Sequence, residues 1–353
     1  MLPDKQKITV GILFGGKSAE HEVSLQSAKN IYDAIDRSRF EPALIGIDKN
    51  GKWLLSDASR FLLNASDPRK ISLNPSGSPT ALIPASEGAL NNAAPKLDVV
   101  FPILHGPFGE DGTVQGLLKL AGVPFVGSDV LGSAVGMDKD VMKRLFRDAG
   151  IPIGKFFAFM SHNTIPPFAE ITAALGSPVF VKPANMGSSV GLSKAHNQDE
   201  FSAAVNKAFQ HDTKIVIEEF IPGREIECAV LGNDNPIASV PGEVIPTHEF
   251  YSYEAKYLDE NGAALEIPAK LDEKTQKRIQ ELSIKAFQVL CCAGLSRIDF
   301  FLKENGEVVI NEINTIPGFT KNSMYPKLWE ASGIGYTELI SRLIDLALSQ
   351  PPR

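Results

Sequence analysis

The sequence has few cysteines, no long apolar run and no excess of basic residues. Three of its 353 residues are cysteine (Cys228, Cys291 and Cys292), and none forms a C-x-x-C pair, which argues against a disulfide framework or a zinc ribbon. We expect reduced thiols that pack as small apolar side chains, in a cytoplasmic protein. The net charge of −7 does not indicate binding to nucleic acid or to an anionic membrane. No run reaches the ~18 apolar residues of a membrane helix, and we expect no signal peptide.

An ordinary soluble composition accompanies these absences. Hydrophobic residues make up 43% and charged residues 22% of a chain long enough for two or three domains. The first part alternates β-rich runs with helical patterns, which predicts an α/β domain with a parallel sheet. The expected strands and helix are Ile8–Phe14, Ala43–Ile47, Val99–Leu104, Pro124–Val126 and the helix Ser24–Ile35.

The rest of the chain divides into two further units. A helix in DKDVMKRLFRDAGIP, ended by Gly150 and Pro152, marks a boundary near residue 140. We expect three domains, at residues 1–140, 141–232 and 233–353. The second is predicted to contain strands Val179–Lys182, Lys214–Phe220 and Glu225–Leu231, and the third to end in an amphipathic helix.

The stretch GILFGGKS, residues 11–18, matches the phosphate-loop pattern G-x-x-x-x-G-K-[ST] at every position. In a true phosphate loop, the strand ends before the first glycine and free backbone N–H groups follow. Here the apolar run ITVGILF, residues 8–14, continues through that glycine, as in a buried strand. We therefore expect a strand followed by a short turn at Gly15, Gly16 and Lys17, and no phosphate loop.

A better candidate for phosphate binding is VFVKPANMGSSVG, residues 179–191. A β-rich run ends at Lys182, and a loop with two glycines and two serines follows. Glycines let backbone N–H groups approach phosphate oxygens, and a lysine at the strand end adds a positive charge. From these residues alone, a phosphate site and an exposed hairpin tip remain equal alternatives.

The stretch KIVIEEFIPGREIECAV, residues 214–230, contains two strands joined by a turn at Pro222 and Gly223. Backbone groups of such a linker can hold adenine, and Glu225 just beyond the turn suits ribose hydroxyls. An ordinary hairpin with solvated glutamates is the commoner alternative for this pattern.

The stretch SRIDFFLKENGEVVINEINT, residues 296–315, predicts a hairpin because Asn-Gly lies between two β-rich runs. With Asn305 and Gly306 as a two-residue turn, Glu304 pairs with Glu307. The same register sets Asp299 opposite Glu312 and Arg297 opposite Asn314, with all four side chains on one face.

Two opposed carboxylates repel unless a positive charge lies between them. Oxygen ligands of this kind suit Mg²⁺, which bridges to nucleotide phosphates. The alternative is a solvated acidic face balanced by arginine. Ile298, Phe300, Val309 and Ile313 are expected to form the buried opposite face, which favours the metal interpretation.

Two loops complete the pattern. LHGPFGEDGTVQG, residues 104–116, is glycine-rich at a strand end and opens a helix near Thr113, a place where open α/β sheets bind small ligands. His105 at the strand tip is either part of such a site or a core histidine. YSYEAKYLDENG, residues 251–262, is polar and aromatic, which suits either a lid or a plain surface loop.

Taken together, these motifs resemble the ATP-grasp ligases and, among them, the D-alanine–D-alanine ligases. The resemblance covers about residues 7–348. It rests on seven motifs in the family's order: GGKSAEHEVSLQSA, HGPFGEDGTVQG, MDKDVMKRL, VKPANMGSSVG, YEAKY, RIDFF and NEINTIPGFTKNSMYP. It implies an α/β protein with a Rossmann-like N-terminal domain and a two-part ATP-grasp fold, and it implies a homodimer.

The resemblance also implies site residues and cofactors. Those implied for ATP are Lys139, Lys182, Ser189, Glu218, Glu219, Ile221, Glu225 and Asn311. Those implied for two Mg²⁺ ions, with Mn²⁺ as a substitute, are Asp299, Glu312 and Asn314. Those implied for the two D-alanine substrates are His105, Lys256, Ser323 and Met324. Those implied for catalysis are Glu20, Ser188, Tyr257, Arg297 and Gly318.

The implied reaction forms an acyl phosphate from the first D-alanine and then D-alanyl-D-alanine for peptidoglycan synthesis. YEAKY favours an amine over D-lactate as the second substrate, whereas the positive charge of Lys321 lies near the second-substrate motif. The alternatives are an ATP-grasp ligase with another second substrate such as D-serine or D-lactate, a non-catalytic nucleotide-binding module, and a P-loop NTPase.

Overall fold

The computed structural model describes residues 7–57, 60–65, 67, 70–91, 96–246 and 263–350. The helices are α1 (His21–Ala34), α2 (Thr113–Leu120), α3 (Val130–Met137), α4 (Lys139–Asp148), α5 (Phe168–Leu175), α6 (Gln198–Phe209), α7 (Glu273–Val289), α8 (Met324–Ala331) and α9 (Tyr336–Ser349). The strands of the N-terminal part are β1 (Ile8–Gly15), β2 (Phe40–Ile47), β3 (Trp53–Ser56), β4 (Leu62–Leu63), β5 (Ser72–Leu73), β6 (Ser78–Pro79) and β7 (Val99–Ile103). The later strands are β8 (Phe156–Met160), β9 (Val179–Pro183), β10 (Ser193–Ala195), β11 (Lys214–Glu219), β12 (Arg224–Gly232), β13 (Ile237–Ala238), β14 (Gly242–Pro246), β15 (Ala263–Glu266), β16 (Gly294–Leu302) and β17 (Val308–Asn314).

The first sheet has the order β6-β3-β2-β1-β7, with β1 parallel to both β2 and β7. The parallel arrangement and three of the four predicted strands are confirmed, and α1 begins three residues before the predicted start. The predicted strand Pro124–Val126 is reduced to a single parallel bridge between Phe125 and Val100 of β7. Strand β1 runs through Gly11 to Gly15, as the apolar run predicted.

The second sheet has the antiparallel order β10-β9-β11-β8 and confirms the predicted strands Val179–Lys182 and Lys214–Phe220. The predicted strand Glu225–Leu231 is also a strand, but it is β12 of the third sheet. Side chains alternate across a strand, so Val181 and Ile217 join the core under α5 and α6. Lys182 and Glu218 consequently lie on the opposite face of this sheet, which is the face that concerns function.

The third sheet has the order β15-β14-β12-β16-β17, with β13 paired to β12. One of its faces packs against α7 through Ile298, Phe300 and Ile310, which share a core with Phe287. The other face carries the polar side chains of the predicted hairpin.

The predicted hairpin register is confirmed away from the turn, where Asp299 pairs with Glu312 and Arg297 pairs with Asn314. It is wrong near the turn, where Leu302 pairs with Val308. The Lys303 N–H donates to the Glu307 carbonyl at 3.0 Å, which leaves residues 304–306 as the loop, with Gly306 in a left-handed conformation (φ 82°). Glu304 therefore does not pair with Glu307.

A bulge at Asn311 restores the register. The same shift places Val309 opposite Phe301, on the face of Asp299, although Val309 was predicted for the core face. Its neighbours Val308 and Ile310 occupy the core face instead.

The C-terminal helices return to the first sheet. Leu339 and Leu343 of α9 share a core with Val99 and Phe101 of β7, and the ring of Phe319 lies 5.7 Å from that of Phe101. The loop after β17 is therefore held beside the carboxyl ends of β1 and β7.

Two expectations from composition can be compared with the fold. Cys228 and Cys292 are buried as predicted, whereas Cys291 is exposed. Within the described ranges, every helix is too short or too polar to cross a membrane.

Candidate active site

Glu20 lies where two glycine-rich loops approach each other. It precedes α1 and is 8% exposed. A Cβ atom added to Gly106 would lie 3.5 Å from Glu20 Oε2, and one added to Gly187 would lie 3.2 Å from the same oxygen. The absence of side chains at both glycines therefore lets the strand-end loop and the serine loop converge on one carboxylate.

Ser24 fixes this end of the first sheet. Its hydroxyl accepts a hydrogen bond from the Gly15 N–H (2.7 Å) and donates to the Ile103 carbonyl. The side chain thus ties the ends of β1 and β7 to α1, which places Glu20 next to the loop that begins at His105.

The buried His105 is held by the loop that follows β17. Its Nδ1 lies 2.9 Å from the Ile316 carbonyl, which can only accept, so Nδ1 carries a proton. Burial lowers the pKa of His105, which favours the neutral ring. Its Nε2 makes no hydrogen bond with any part of the chain that the structure describes.

Glu110 joins the same two loops and was missed by the sequence analysis. Its carboxylate accepts the N–H of Gly106 at 2.7 Å and that of Ile316 at 3.0 Å. Burial, followed by the nearby charge of Glu20, raises the pKa of Glu110 to about 8. The acidic pair in HGPFGEDG was a signal, but its partner at Ile316 lies 206 residues away.

Lys139 holds the predicted phosphate loop with both of its nitrogens. Its backbone N–H donates to Ala184 at 3.1 Å, and its Nζ donates to the Met186 carbonyl at 2.7 Å. The same Nζ lies 3.7 Å from Glu312 on the third sheet. Asp138 caps the start of α4 and so fixes Lys139 at its first residue.

The serine loop has an unusual backbone. Ser188 and Ser189 both have left-handed φ angles, of 50° and 59°. Such conformations cost about 1–3 kcal/mol for a residue other than glycine, and they concentrate at functional sites. The loop closes on itself through the Val190 N–H, which donates to the Gly187 carbonyl at 3.1 Å.

A buried ion cluster lies on the polar face of the second sheet. Glu218 forms ion pairs with Lys182 at 2.6 Å and with Lys143 at 3.0 Å. Burial alone would raise the pKa of Glu218, but the two lysines outweigh it and hold the value at about 2. Burial lowers the pKa of Lys182, yet Glu218 and Glu312 together raise it above its ordinary value. No local sequence pattern indicates Lys143, because only the fold brings α4 against β11.

The linker after β11 is anchored to the segment that leads into β8. The Glu219 carboxylate accepts the Lys155 N–H at 2.7 Å, and the Glu219 N–H donates to the Lys155 carbonyl at 3.1 Å. Phe220 is 43% exposed, and its ring lies 6.1 Å from that of Phe180. Glu225 follows on β12 and is partly buried.

The polar face of the third sheet carries a row of three carboxylates. Glu227 pairs with Asp299 across β12 and β16, and Asp299 pairs with Glu312 across β16 and β17. Arg297 donates to both oxygens of Asp299 at 2.7 Å and lies 2.8 Å from Glu227. Glu227 is a further residue that sequence reasoning missed.

The arrangement fits a divalent cation that is held partly by a nucleotide. Among the described residues there is no cluster of three or more His, Cys, Asp or Glu side chains that could bind a metal alone. Mg²⁺ usually takes only one or two carboxylates and completes its shell with phosphate and water. Asp299 and Glu312 on adjacent strands, with the amide of Asn314 beside them, supply that partial set. Asn311 lies at the bulge next to Glu312.

The loop after β17 brings Gly318 against Ser323. A Cβ at Gly318 would lie 3.1 Å from Ser323 Oγ, which also accepts the Thr320 N–H at 3.0 Å. Met324 begins α8, so its N–H belongs to the first turn, which has no acceptor within the helix. Lys321 is exposed. Lys256 and Tyr257 of the predicted lid lie outside the described residues.

Lys17 of the phosphate-loop pattern lies in the turn that follows β1. Its exposed side chain runs beside Gly51, where an added Cβ would lie 2.7 Å from Lys17 Cε. It borders a cavity of about 260 Å³ whose wall includes Trp53, Leu104 and Phe108. This cavity is mainly apolar. His105 also lines it, whereas Lys182, Asp299 and Glu312 do not.

Two sheets therefore present lysines and carboxylates to each other, with Lys139 between them and a glycine-rich loop at one end. This arrangement, together with the preceding parallel-sheet unit, defines an ATP-grasp ligase.

Residues 9–128 match the family described as D-ala D-ala ligase N-terminus, and residues 145–345 match D-ala D-ala ligase C-terminus. The D-alanine–D-alanine ligase of Oceanobacillus iheyensis is 55% identical over 354 aligned residues, covering 98% of this chain and 97% of that protein.

The solved structure of the D-alanine–D-alanine ligase from Coxiella burnetii has a TM-score of 0.86 at 37% identity, covering 98% of this chain and 94% of that one. That of the VanG D-Ala:D-Ser ligase from Enterococcus faecalis has a TM-score of 0.86 at 38% identity, covering 97% and 100%. The chain belongs to the D-alanine–D-alanine ligase family.

Proposed function

We propose that this chain uses ATP to join two D-alanine molecules into D-alanyl-D-alanine, through an acyl phosphate, for peptidoglycan precursors. The observation that carries this proposal is the position of Glu20, next to both Gly106 and Gly187. A carboxylate suited to a substrate ammonium group thereby lies beside the loop suited to ATP phosphates, so the first substrate and the γ-phosphate can meet.

The nucleotide would lie between the second and third sheets. Lys139 and Lys182 suit its phosphates, and the serine loop with Ser189 would cover them. The linker residues Glu219 and Ile221, with Glu218, would contact adenine, Glu225 would contact ribose, and Asn311 would line the same cleft.

Asp299, Glu312 and Asn314 would hold two Mg²⁺ ions, with Mn²⁺ as a substitute. When bound, these ions would neutralise charge on the phosphate oxygens, which is the main requirement of phosphoryl transfer.

In the first step, Glu20 and His105 would orient the first D-alanine so that its carboxylate attacks the γ-phosphate. The amine of the second D-alanine would then attack the acyl phosphate and release phosphate. Arg297 and the Gly318 N–H would stabilise the tetrahedral oxyanion. The Arg297 guanidinium carries five N–H donors, two of which it gives to Asp299.

Ser323 and the Met324 N–H would bind the carboxylate of the second substrate. The position of Met324 at the start of α8 supports this role, because a helix N-terminus favours an anion. We also assign Lys256 to this site, and we assign Tyr257 and Ser188 to closure of the lid over Glu20.

The second substrate is proposed to be D-alanine. The fold does not distinguish the second substrate, because a D-Ala:D-Ser ligase and a D-alanine–D-alanine ligase give the same TM-score. The relatives that are 55–58% identical are named D-alanine–D-alanine ligases, which supports D-alanine. We further propose a cytoplasmic homodimer and domain divisions at residues 1–140, 141–232 and 233–353.

The test is phosphate release from ATP and Mg²⁺ with D-alanine, L-alanine, or D-alanine plus either D-serine or D-lactate, with products identified by mass. We expect release only when D-alanine is present, with one dipeptide per phosphate, and D-alanyl-D-alanine as the main product in the mixed reactions. Turnover with L-alanine alone, or a mixed product in preference to the dipeptide, would refute the substrate assignment. No turnover with any substrate would refute the ligase proposal.

A further inference from the structure

Arg297 lies between two carboxylates that compete for one of its protons. Its Nε donates to Asp299 Oδ1 at 2.7 Å, and its Nη2 donates to Asp299 Oδ2 at 2.7 Å. The same Nε lies 2.8 Å from Glu227 Oε2. Because Nε carries a single hydrogen, Asp299 and Glu227 are alternative acceptors for it.

Asp299 accepts three hydrogen bonds, which occupy most of its acceptor sites. Besides the two bonds from Arg297, its Oδ2 accepts a hydrogen bond from Asn314 Nδ2 at 3.0 Å. A cation at Asp299 would bring a second positive centre against the Arg297 guanidinium. The guanidinium must then loosen its hold on Asp299, and a largely buried guanidinium without an anion is strongly unfavourable.

Glu227 is placed to provide that anion. The register sets Glu227 on β12 directly opposite Asp299 and on the side away from Glu312. Lys139 lies at the other end of the row, 3.7 Å from Glu312. The side chains of Arg297, Asp299 and Glu227 are 18%, 15% and 13% exposed, so water screens their interaction only weakly.

We propose that Glu227 is a positioning residue that takes over Arg297 when Asp299 binds a divalent cation. The guanidinium then stays neutralised and oriented towards the reacting carbonyl while Asp299 becomes available to the metal. This inference rests on the metal site of the proposed function, and it assigns Glu227 no direct contact with metal or substrate.

The test measures Mn²⁺ binding by electron spin resonance in the presence of ADP, with no turnover. Glu227→Gln keeps the shape of the side chain and removes its charge. We expect the apparent affinity for Mn²⁺ to fall about 10-fold, as for other groups that support a metal ligand. Glu307→Gln makes the same change on an exposed residue at the far end of the hairpin and should leave Mn²⁺ binding unchanged.

Repeating Glu227→Gln in a protein that already carries Arg297→Gln distinguishes the positioning of Arg297 from a simple loss of negative charge near the metal. In an Arg297→Gln protein, Asp299 has no guanidinium to release, so adding Glu227→Gln should have no further effect. If Glu227→Gln still lowers the affinity for Mn²⁺ 10-fold in the Arg297→Gln protein, Glu227 acts through its own negative charge or as a metal ligand. That result would overturn the proposal. Equal affinities of Glu227→Gln and the unsubstituted chain would also overturn it.

The controls separate this inference from the metal assignment. Asp299→Asn should abolish tight Mn²⁺ binding, and thermal denaturation with ADP binding should confirm that every variant is folded. If the unsubstituted chain with ADP binds no Mn²⁺, or Asp299→Asn does not weaken binding, the metal site itself is wrong. If both behave as expected, only the variants at Glu227 decide the inference.

Discussion

Two glycine-rich segments, each with a lysine, are easily confused in the sequence and differ completely in the structure. In residues 11–18, strand β1 continues to Gly15. In residues 179–191, strand β9 ends at Pro183 and a loop follows. The backbone of the first segment is therefore paired with the neighbouring strands, whereas the second segment has an unpaired loop after its strand ends.

The lysines differ in the same way. Lys17 is exposed and runs beside a turn, whereas the side chain of Lys182 is only 11% exposed and pairs with Glu218 on the nucleotide face. A buried lysine in an ion cluster keeps a fixed position, and a phosphate can use that preorganised charge. The position at which a strand ends therefore predicts a phosphate site better than the pattern of glycines and lysine does.

The largest effect is expected at Lys182. Lys182→Met should lower kcat/KM for ATP at least ~100-fold, because a preorganised phosphate contact is lost. Steady-state kinetics and calorimetric ADP binding measure this change. Lys182→Arg, which keeps the charge but changes the geometry, should retain more activity. If Lys182→Met has the same ATP kinetics as the unsubstituted chain, Lys182 does not bind phosphate and does not differ from Lys17 in this respect.

Gly15 tests the structural role of the first segment. Its φ is +92°, and an added Cβ would lie 2.2 Å from the Ile47 carbonyl oxygen of the neighbouring strand. Gly15→Ala should reduce the free energy of unfolding by about 3 kcal/mol, because it combines backbone strain with a backbone clash. Urea denaturation measures this loss, and a change below about 1 kcal/mol would contradict the geometry.

Gly187 tests the functional role of the second segment. An added Cβ would lie 3.2 Å from Glu20 Oε2 and would displace that carboxylate by a few tenths of an ångström. Gly187→Ala should lower kcat/KM for D-alanine about 10-fold, since small misplacements in a site are costly. Its unfolding free energy should stay within about 0.5 kcal/mol. A stability loss as large as that of Gly15→Ala would assign both glycines the same role.

The sequence predicted those parts of the site that lie close together along one hairpin or at a strand end. Asp299 and Glu312 were paired correctly because the turn and the alternation of side chains limit the choices. The pairing near the turn was predicted wrongly because Asn-Gly also fits a three-residue loop, which shifts the register by one residue. The bulge at Asn311 shifts it back, so Asp299 still pairs with Glu312. Sequence alternation cannot reveal two irregularities that compensate.

The residues that were missed obtain their role from distant partners. Glu110 reaches Ile316, Lys143 reaches Glu218, and Glu227 reaches Arg297. Each is an ordinary charged residue in its own segment, on a helix, strand or loop that needs no special chemistry. These contacts join two loops, a helix and a strand, and two paired strands that are far apart in the sequence, so no local pattern could have indicated them.

Glu110 gives a smaller effect that depends on pH. Its folded pKa of about 8 is above the ordinary 4.5, so its protonated form favours the folded state. The resulting stability is complete below about pH 4.5 and is lost as the pH rises through about 8. Glu110→Gln should remove this slope, so that urea unfolding at pH 6 and pH 8.5 differs less than in the unsubstituted chain. Glu304→Gln, on an exposed carboxylate, is the control, and an unchanged slope in Glu110→Gln would contradict the assignment.

The smallest effect is expected at Lys17, where the phosphate-loop pattern predicts the largest. Its side chain borders the turn at Gly51 and a cavity that is not lined by Lys182, Asp299 or Glu312. Lys17→Ala should therefore change KM for ATP by less than about twofold and the unfolding free energy by less than about 0.5 kcal/mol. The measurement is ATP kinetics beside Lys182→Met in one series. Loss of ATP binding in Lys17→Ala would mean that the nucleotide lies at the end of β1, and the distinction between the two glycine-rich segments would then be reversed.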